Sequence, residues 1–145
     1  MKKTILNLLI MVIIIVSIIG IKYYSYQTEL NKLRKENSEY EVFKDKEILG
    51  IDLATLINKT VNQNEKNEIE KDEEGIYIQN EKDSIEIEIY IVDNETTYKM
   101  ETFYNAGAEK FVQYYGKIKF KCSKIEYHKK TGKVKYLFFE QLQTS

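Results

Sequence analysis

The chain has 145 residues, which is enough for one domain and an appendage. Its net charge of −1 conceals an asymmetry, because residues 1–22 contain three lysines and no acidic side chain, whereas the remainder carries a net charge of −4. A mildly acidic main part excludes the basic stripe expected of a nucleic-acid-binding protein, and a single cysteine, Cys122, excludes an internal disulfide.

The segment from residue 4 to residue 21 is uncharged and almost entirely apolar. A helix of this length extends about 27 Å, close to the roughly 30 Å of a bilayer's hydrocarbon core. Tyr23, Tyr24 and Tyr26 follow it, where interfacial aromatic side chains are common. A cleaved signal peptide is the alternative, but its apolar core is usually shorter, and no small-x-small cleavage site follows. The sequence therefore predicts an uncleaved membrane anchor over residues 1–22.

The lysines around this segment predict its orientation. Lys2 and Lys3 precede it, whereas Lys22 is the nearest cation after it. Because positive flanks favour the cytoplasmic side, we expect a single-pass protein in the cell membrane whose C-terminal domain lies outside the cytoplasm. The bias nearly disappears when the cations out to Lys35 are counted, so the opposite orientation stays open.

Residues 23–47 predict a helical stalk that continues the membrane helix. A coiled coil with a partner helix or a second copy would place Asn37 at an a position, where asparagine fixes register. The alternative is a stalk that packs on its own domain. Side chains at spacings of three and four residues form one line, here called the stalk seam, which consists of Tyr23, Tyr26, Leu30, Leu33, Asn37 and Tyr40. The residues expected to contact a partner are Tyr26, Leu30, Leu33 and Tyr40.

We assign residues 48–145 to a single globular domain. Gly50 is the expected stop of the stalk helix, and Asp52 is the expected N-cap of a second helix with one apolar face. Residues 62–75 are polar and acidic, which predicts a solvated loop. The strands are expected to begin at Ile76.

The clearest strand signal lies at residues 84–92, where isoleucines alternate with glutamates and a tyrosine. Such alternation is typical of an antiparallel strand with one solvated face. Apolar residues occupy even-numbered positions up to Cys122 and odd-numbered positions from Ile125 onward. A single strand through both sets predicts a bulge near Ser123 and Lys124. The other expected elements are a turn at 93–95, a strand at 96–101, a helix from Ala108 to Tyr115 that ends at Gly116, and strands at 118–127 and 133–140 around a hairpin turn at 129–132.

These elements together predict an α+β fold. An N-terminal transmembrane helix continues into a stalk helix, and a small antiparallel sheet of four to five strands with one or two short helices follows. The absence of regular alternation between strands and helices distinguishes this order from a doubly wound parallel sheet.

The sequence contains no recognisable catalytic, cofactor-binding or metal-binding motif. His128, the only histidine, adjoins a hairpin turn and is expected to be solvated rather than part of a catalytic triad. Cys122 lies on the apolar face of a strand, where a buried, inert thiol is expected. Residues 70–81 partly match a calcium-binding loop, with glycine at the sixth position and glutamate at the twelfth. However, Glu70 replaces the aspartate that the first position needs, and a strand instead of a helix is expected after the loop. We therefore predict no catalytic, cofactor or metal residue and a protein that is not an enzyme.

Two segments together resemble small, uncharacterised single-pass membrane-anchored proteins of clostridia-like bacteria. They are ILGIDLATLINK at residues 48–59 and KFVQYYGKIKFKCSKIEYHKKTGKVKYLFFEQ at residues 110–141. The plan of a hydrophobic N-terminal helix, a stalk and a sheet is similar to that of type IV pilins and pseudopilins. Pilins have a leader that ends in glycine and a glutamate within the hydrophobic run, whereas here residues 1–4 contain no glycine and residues 5–21 contain no acid. The resemblance is therefore one of architecture.

These observations lead to two functional expectations. The first is a membrane-anchored, non-enzymatic assembly or interaction subunit at the cell surface, with a pilin-like plan. The alternative is a membrane-anchored ligand-binding module for a peptide, a glycan or an envelope component. Self-association through the stalk would distinguish the first, and a monomer with a concave aromatic pocket would distinguish the second.

Overall fold

The computed structural model describes residues 1–143 of the chain, and these form two compact units, Met1–Glu36 and a second that begins at Asn37. A long N-terminal apolar helix precedes a five-stranded mixed sheet with short helices, so the α+β fold is confirmed. The elements in chain order are α1 (Lys2–Glu41), β1 (Glu47–Leu49), α2 (Gly50–Lys66), β2 (Glu86–Ile91), a single 3-10 turn (Val92–Asn94), β3 (Thr96–Lys99), α3 (Met100–Ala106), α4 (Ala108–Tyr115), β4 (Lys119–Tyr127) and β5 (Val134–Gln141).

The first unit is the part of α1 up to Glu36. No proline interrupts this helix, so the apolar segment and the first part of the predicted stalk are continuous, as expected. The helix continues into the second unit and ends at Glu41 instead of residue 47. The chain then turns through Asp45, whose φ of 58° is one that aspartate tolerates better than most side chains, and enters β1.

The five strands form one sheet in the order β1-β4-β5-β2-β3. Three neighbouring pairs are antiparallel, as predicted. The fourth pair, β2 with β5, is parallel, with Glu86 opposite Tyr136 and Tyr90 opposite Glu140. This pair departs from the expected antiparallel sheet because periodicity identifies the buried face of a strand but not the direction of its neighbour. Here the β4–β5 hairpin lies between β1 and β2, which brings β5 alongside β2.

The core lies between the helices of the second unit and one face of the sheet. The alternation predicted for β2 is confirmed, since Ile87, Ile89 and Ile91 are buried and the side chains between them are half-buried. Truncation of a fully buried aromatic such as Phe139 to alanine typically costs about 3–5 kcal/mol. The other buried core residues include Leu53, Val61, Met100, Phe111, Phe120, Val134 and Leu137.

Local features of the β4–β5 hairpin agree with the sequence. The pairing of the two strands shifts register between Cys122 and Lys124, where the bulge was expected. Gly132 adopts a φ of 70°, which glycine tolerates without steric cost, and its N–H donates to the carbonyl oxygen of His128. The hairpin turn is therefore confirmed.

Gly50 begins α2 instead of ending a helix. Its backbone lies so close to Tyr115 that an added Cβ would be 1.9 Å from the carbonyl oxygen of that residue, so this position requires glycine. The first two N–H groups of α2 donate to the carbonyl oxygens of Ile118 and Gly116. A side-chain cap is therefore not needed, and Asp52 lies within the first turn instead of capping it.

Two other expectations about elements are corrected. The helix α2 continues to Lys66, into the segment that was expected to be a loop. No strand begins at Ile76, and the chain there forms only an isolated bridge between Lys71 and Tyr77. The strand expected at residues 96–101 is also shorter, because α3 begins at Met100 and the chain leaves the sheet.

Candidate functional site

The apolar part of α1 is the first candidate functional surface. Its large apolar side chains between Ile5 and Ile21 have exposed fractions of 47–70%. The most apolar 18-residue window has a mean hydropathy of 2.9 and no buried residue, so it is not the core helix of a globular fold. By length and composition α1 is the one helix among residues 1–143 that suits a membrane span, and a signal sequence near the N-terminus shares these properties.

The stalk seam is divided between the two compact units. Tyr26, Leu30 and Leu33 lie in the first unit, where Tyr26 is exposed and the two leucines are half-buried. Tyr40 lies in the second unit and is only 5% exposed, as a member of its core. Tyr40 is therefore not available to a partner helix, contrary to the expectation, and the seam that remains for a partner is shorter than two heptads.

Asn37 is the residue at which the second unit begins, and its side chain joins α1 to the β4–β5 hairpin. Its Nδ2 donates to the carbonyl oxygen of Gly132 over 2.8 Å, and its Oδ1 accepts the N–H of Val134 over 2.9 Å. A second contact nearby is the hydroxyl of Tyr127, which donates to Oε1 of Glu41 over 2.8 Å. The end of α1 is thus part of the domain, as in the alternative of a stalk that packs on its own domain.

His128 is buried, whereas the sequence predicted a solvated side chain. It is 3% exposed, and its Nε2 lies 2.7 Å from the carbonyl oxygen of Ser84. Because a carbonyl oxygen only accepts, Nε2 carries the hydrogen of this bond. The two lysines after His128 made a solvated histidine the natural expectation. That expectation is wrong because the segment before β2 folds over the hairpin turn.

A cavity of about 350 Å³, here called the hairpin cavity, lies between that segment and the turn. Its acidic residues are paired, Glu81 with Lys130 and Glu126 with Lys124. The turn also binds the opposite wall through Thr131, whose Oγ1 donates to the carbonyl oxygen of Lys82 over 2.6 Å. The cavity is lined by Asn80, Glu81, Glu126, Tyr127, His128, Lys129, Lys130 and Lys135.

A second cleft of about 310 Å³, the α1–α2 cleft, lies between the end of α1 and α2. Its apolar lining consists of Phe43, Ile48 and Leu56. Lys59 lies at its rim and pairs with Glu39 over 2.5 Å. The cleft is therefore an apolar depression with a polar rim, unlike the charged hairpin cavity.

Cys122 is buried, as predicted, and its thiol is not poised for nucleophilic chemistry. Its Sγ contacts the carbonyl oxygen of Lys124 at 3.6 Å. Burial raises the pKa of the Cys122 thiol to about 11, so the thiolate that reacts is scarce at neutral pH.

The acidic loop around Asp72 is held by its own backbone. Oδ1 of Asp72 accepts the N–H groups of Glu74 and Ile76 over 3.0 and 2.9 Å. Aspartate is favoured in local turns of this kind. The two hydrogen bonds engage Oδ1 of Asp72, an oxygen that would bind the ion in a calcium-binding loop. Within residues 1–143 no three histidine, cysteine, aspartate or glutamate side chains are grouped as a metal site would require.

Glu101 is a buried carboxyl group that the sequence did not identify. It is 3% exposed, its Oε1 accepts the N–H of Tyr77 over 3.2 Å, and its Oε2 has no hydrogen-bond partner among the described residues. Burial raises the pKa of the Glu101 carboxyl above its ordinary value of 4.5, and backbone hydrogen bonds from Glu101 itself and from Tyr77, followed by the charge of Lys99, oppose this effect only in part. No sequence signal marks Glu101, since it occupies an ordinary position in the first turn of α3.

Comparisons with protein-family models, with curated proteins and with solved structures found no match.

Proposed function

We propose that this chain is a single-pass membrane protein whose non-enzymatic domain serves as an assembly or interaction subunit at the cell surface. The observation that carries the proposal is the exposure of the apolar part of α1. Each Å² of apolar surface that stays in water costs about 20–33 cal/mol. This eighteen-residue segment therefore needs a non-aqueous environment, and a bilayer provides one. Lys2 and Lys3 on one side of this segment, against Lys22 on the other, favour an extracytoplasmic domain.

Two findings support a non-enzymatic role. The chain's only histidine donates to a backbone carbonyl oxygen, and its only cysteine is buried with a raised pKa. Both side chains are thus held by the fold, and among residues 1–143 neither is paired with a group that would activate it. The proposed partner surface is the remaining part of the stalk seam, Tyr26, Leu30 and Leu33.

The hairpin cavity favours a second candidate function, a membrane-anchored ligand-binding module. Its volume of about 350 Å³ falls at the lower end of the range for small-molecule sites. Its polar lining fits a charged group of an envelope component better than an apolar ligand.

Protease accessibility tests the membrane topology. Protease added to intact cells or wall-stripped protoplasts should digest the domain and leave the membrane helix. A cytoplasmic protein detected in the same samples should stay intact, as the control for leakage. If the domain becomes sensitive only after lysis, it lies in the cytoplasm, and the proposed role at the surface is wrong.

A further inference from the structure

We infer that the hairpin cavity binds a compact oxyanion, namely a phosphate or carboxylate group of a small molecule or of an envelope component. This deepens the second candidate function by naming its ligand class. It does not depend on pairing of the stalk. Two properties of the cavity support it, namely its surplus of positive charge and its fixed walls, and His128 in its floor provides the probe.

The surplus of positive charge comes from one lysine-rich segment of the sequence. Residues 128–135, HKKTGKVK, contain four lysines and no acid, in a chain whose net charge is −1. Three of these lysines, Lys129, Lys130 and Lys135, line the cavity. Clustering of cations in a concave surface focuses the potential and attracts anions from solution.

The two carboxylates of the lining do not cancel this surplus. Glu81 is engaged by Lys130, and Glu126 is engaged over 2.6 Å by Lys124, a residue outside the lining. Lys124 is the main cause of the lowered pKa of Glu126, and Lys135 adds to the same effect from a greater distance. Lys129 has no ion pair among the residues that the structure describes, and Lys135 has no partner within ion-pair distance there.

The walls of the cavity are fixed before any ligand arrives. On one side, Oδ1 of Asn80 accepts the N–H groups of Lys82 and Asp83 over 2.8 and 2.9 Å, which holds that loop in a tight turn. The hairpin turn is joined to this loop by Thr131 and by His128. A site that needs no rearrangement loses less conformational entropy when it binds a ligand.

The floor of the cavity contains a buried polar ring. His128 lines the cavity although it is only 3% exposed, and the bond of its Nε2 to Ser84 fixes the orientation of the imidazole. The neutral imidazole has one N–H, which is donated to Ser84, so the lysines and not His128 contact the anion. The ring fixes the floor of the cavity. It also provides a specific probe, because His128 is the only histidine in the chain.

The experiment follows the imidazole signals of His128 by NMR in the full-length protein in detergent micelles. Inorganic phosphate and acetate are added separately at constant ionic strength, which is maintained with sodium chloride. We expect saturable shifts of the His128 signals with at least one of the two anions. In the Lys129→Gln/Lys135→Gln variant the apparent affinity should fall at least tenfold, because both charge-assisted contacts are lost. A matched control, Lys110→Gln/Lys117→Gln, removes the same charge from exposed positions outside the cavity and should bind as the unmodified protein does.

A lipid arm identifies the source of the anion. The full-length protein in nanodiscs of phosphatidylcholine is compared with the protein in nanodiscs that also contain phosphatidylglycerol. Shifts that appear only with phosphatidylglycerol and vanish in the Lys129→Gln/Lys135→Gln variant would identify a lipid headgroup, whereas saturation by soluble anions would identify a soluble ligand or envelope polymer. The inference is wrong if no arm gives saturable shifts or if both double variants respond equally. Neither result bears on stalk pairing, which is measured by crosslinking.

Discussion

The side chain of Asn37 completes the hydrogen bonding at one end of β5. Strand β2 pairs with β5 only from Tyr136 onward, and the amide of Asn37 binds backbone groups of Gly132 and Val134 before that point. An asparagine amide has one donor side and one acceptor side, as a peptide group does, so it substitutes for a short piece of strand. Aspartate at this position would offer no donor.

We expect Asn37→Ala to destabilise the domain by about 1–3 kcal/mol, because two half-buried backbone groups lose their partner. The free energy of unfolding would be measured by urea denaturation of a soluble fragment that begins at residue 24. Asn62→Ala is the control, since Asn62 is exposed in α2 and makes no side-chain hydrogen bond given by the structure. Equal stabilities of the Asn37→Ala variant and the parent would show that water replaces the Asn37 amide without cost.

The buried carboxyl of Glu101 predicts a component of the pH dependence of stability. Its pKa is raised in the folded state, so the folded protein binds a proton more tightly than the unfolded chain does. The cost of ionising Glu101 is fully present above the folded pKa and disappears below the ordinary value of 4.5. We expect Glu101→Gln to be more stable than the parent at pH 7 and to lose this advantage as the pH falls toward 4. A stability difference that does not vary between pH 7 and pH 4 would contradict the prediction.

At the scale of elements, the sequence predicted local features better than pairings. The alternation of β2, the bulge beside Cys122 and the turn at Gly132 depend on side chains close together in sequence, and all three are confirmed. The parallel pairing of β2 with β5 depends on the path of the chain between the two strands, which the periodicity of the sequence does not reveal. The burial of His128 depends likewise on a segment more than forty residues away, which local composition does not reveal.

The stalk illustrates the same limit within one helix. A single seam runs through Tyr26, Leu30, Leu33 and Tyr40, and the sequence contains no boundary between them. The structure divides them because Tyr40 is enclosed by the domain core, where Lys59 lies 5.5 Å from the centre of its ring. Spacing showed that the positions share a helix face, but it did not show what covers that face.

If the remaining seam binds a partner helix, Leu30 and Leu33 are its centre. Burial of a leucine is worth about 1.5–3 kcal/mol, and Leu30→Glu/Leu33→Glu would remove this gain and place charges on the seam. We expect the full-length double variant to insert and fold but to lose crosslinking between cysteines engineered at exposed stalk positions. Thr28→Glu/Asn31→Glu, at exposed positions, is the control and should still crosslink. Retained crosslinking in the leucine variant would exclude pairing through this seam.

At the scale of the whole molecule, the second compact unit begins at Asn37, eleven residues before the 48–145 range expected for the domain from the sequence. These eleven residues include Tyr40 and Phe43, and the ring of Phe43 lies 6.5 Å from that of Phe139 in the core. A fragment beginning at residue 46 lacks both rings.

We therefore expect a fragment that begins at residue 46 to be less stable than one that begins at residue 36, by about 3 kcal/mol or more. The free energies of unfolding of the two fragments, measured in urea, provide the comparison. Tyr40→Ala in the longer fragment should reproduce most of the loss, which separates the contribution of this ring from that of chain length. Two fragments of equal stability would mean that the end of α1 adds nothing to the domain.

The single thiol of Cys122 makes this protein its own reporter of transient opening. The thiol is enclosed by the core and has a pKa of about 11, so alkylating reagents reach it as a thiolate only when β4 separates from its neighbours. When closing is faster than labelling, the labelling rate measures the equilibrium population of the open form. Transient opening of the domain can thus be timed in the full-length protein, with no engineered probe and no denaturant.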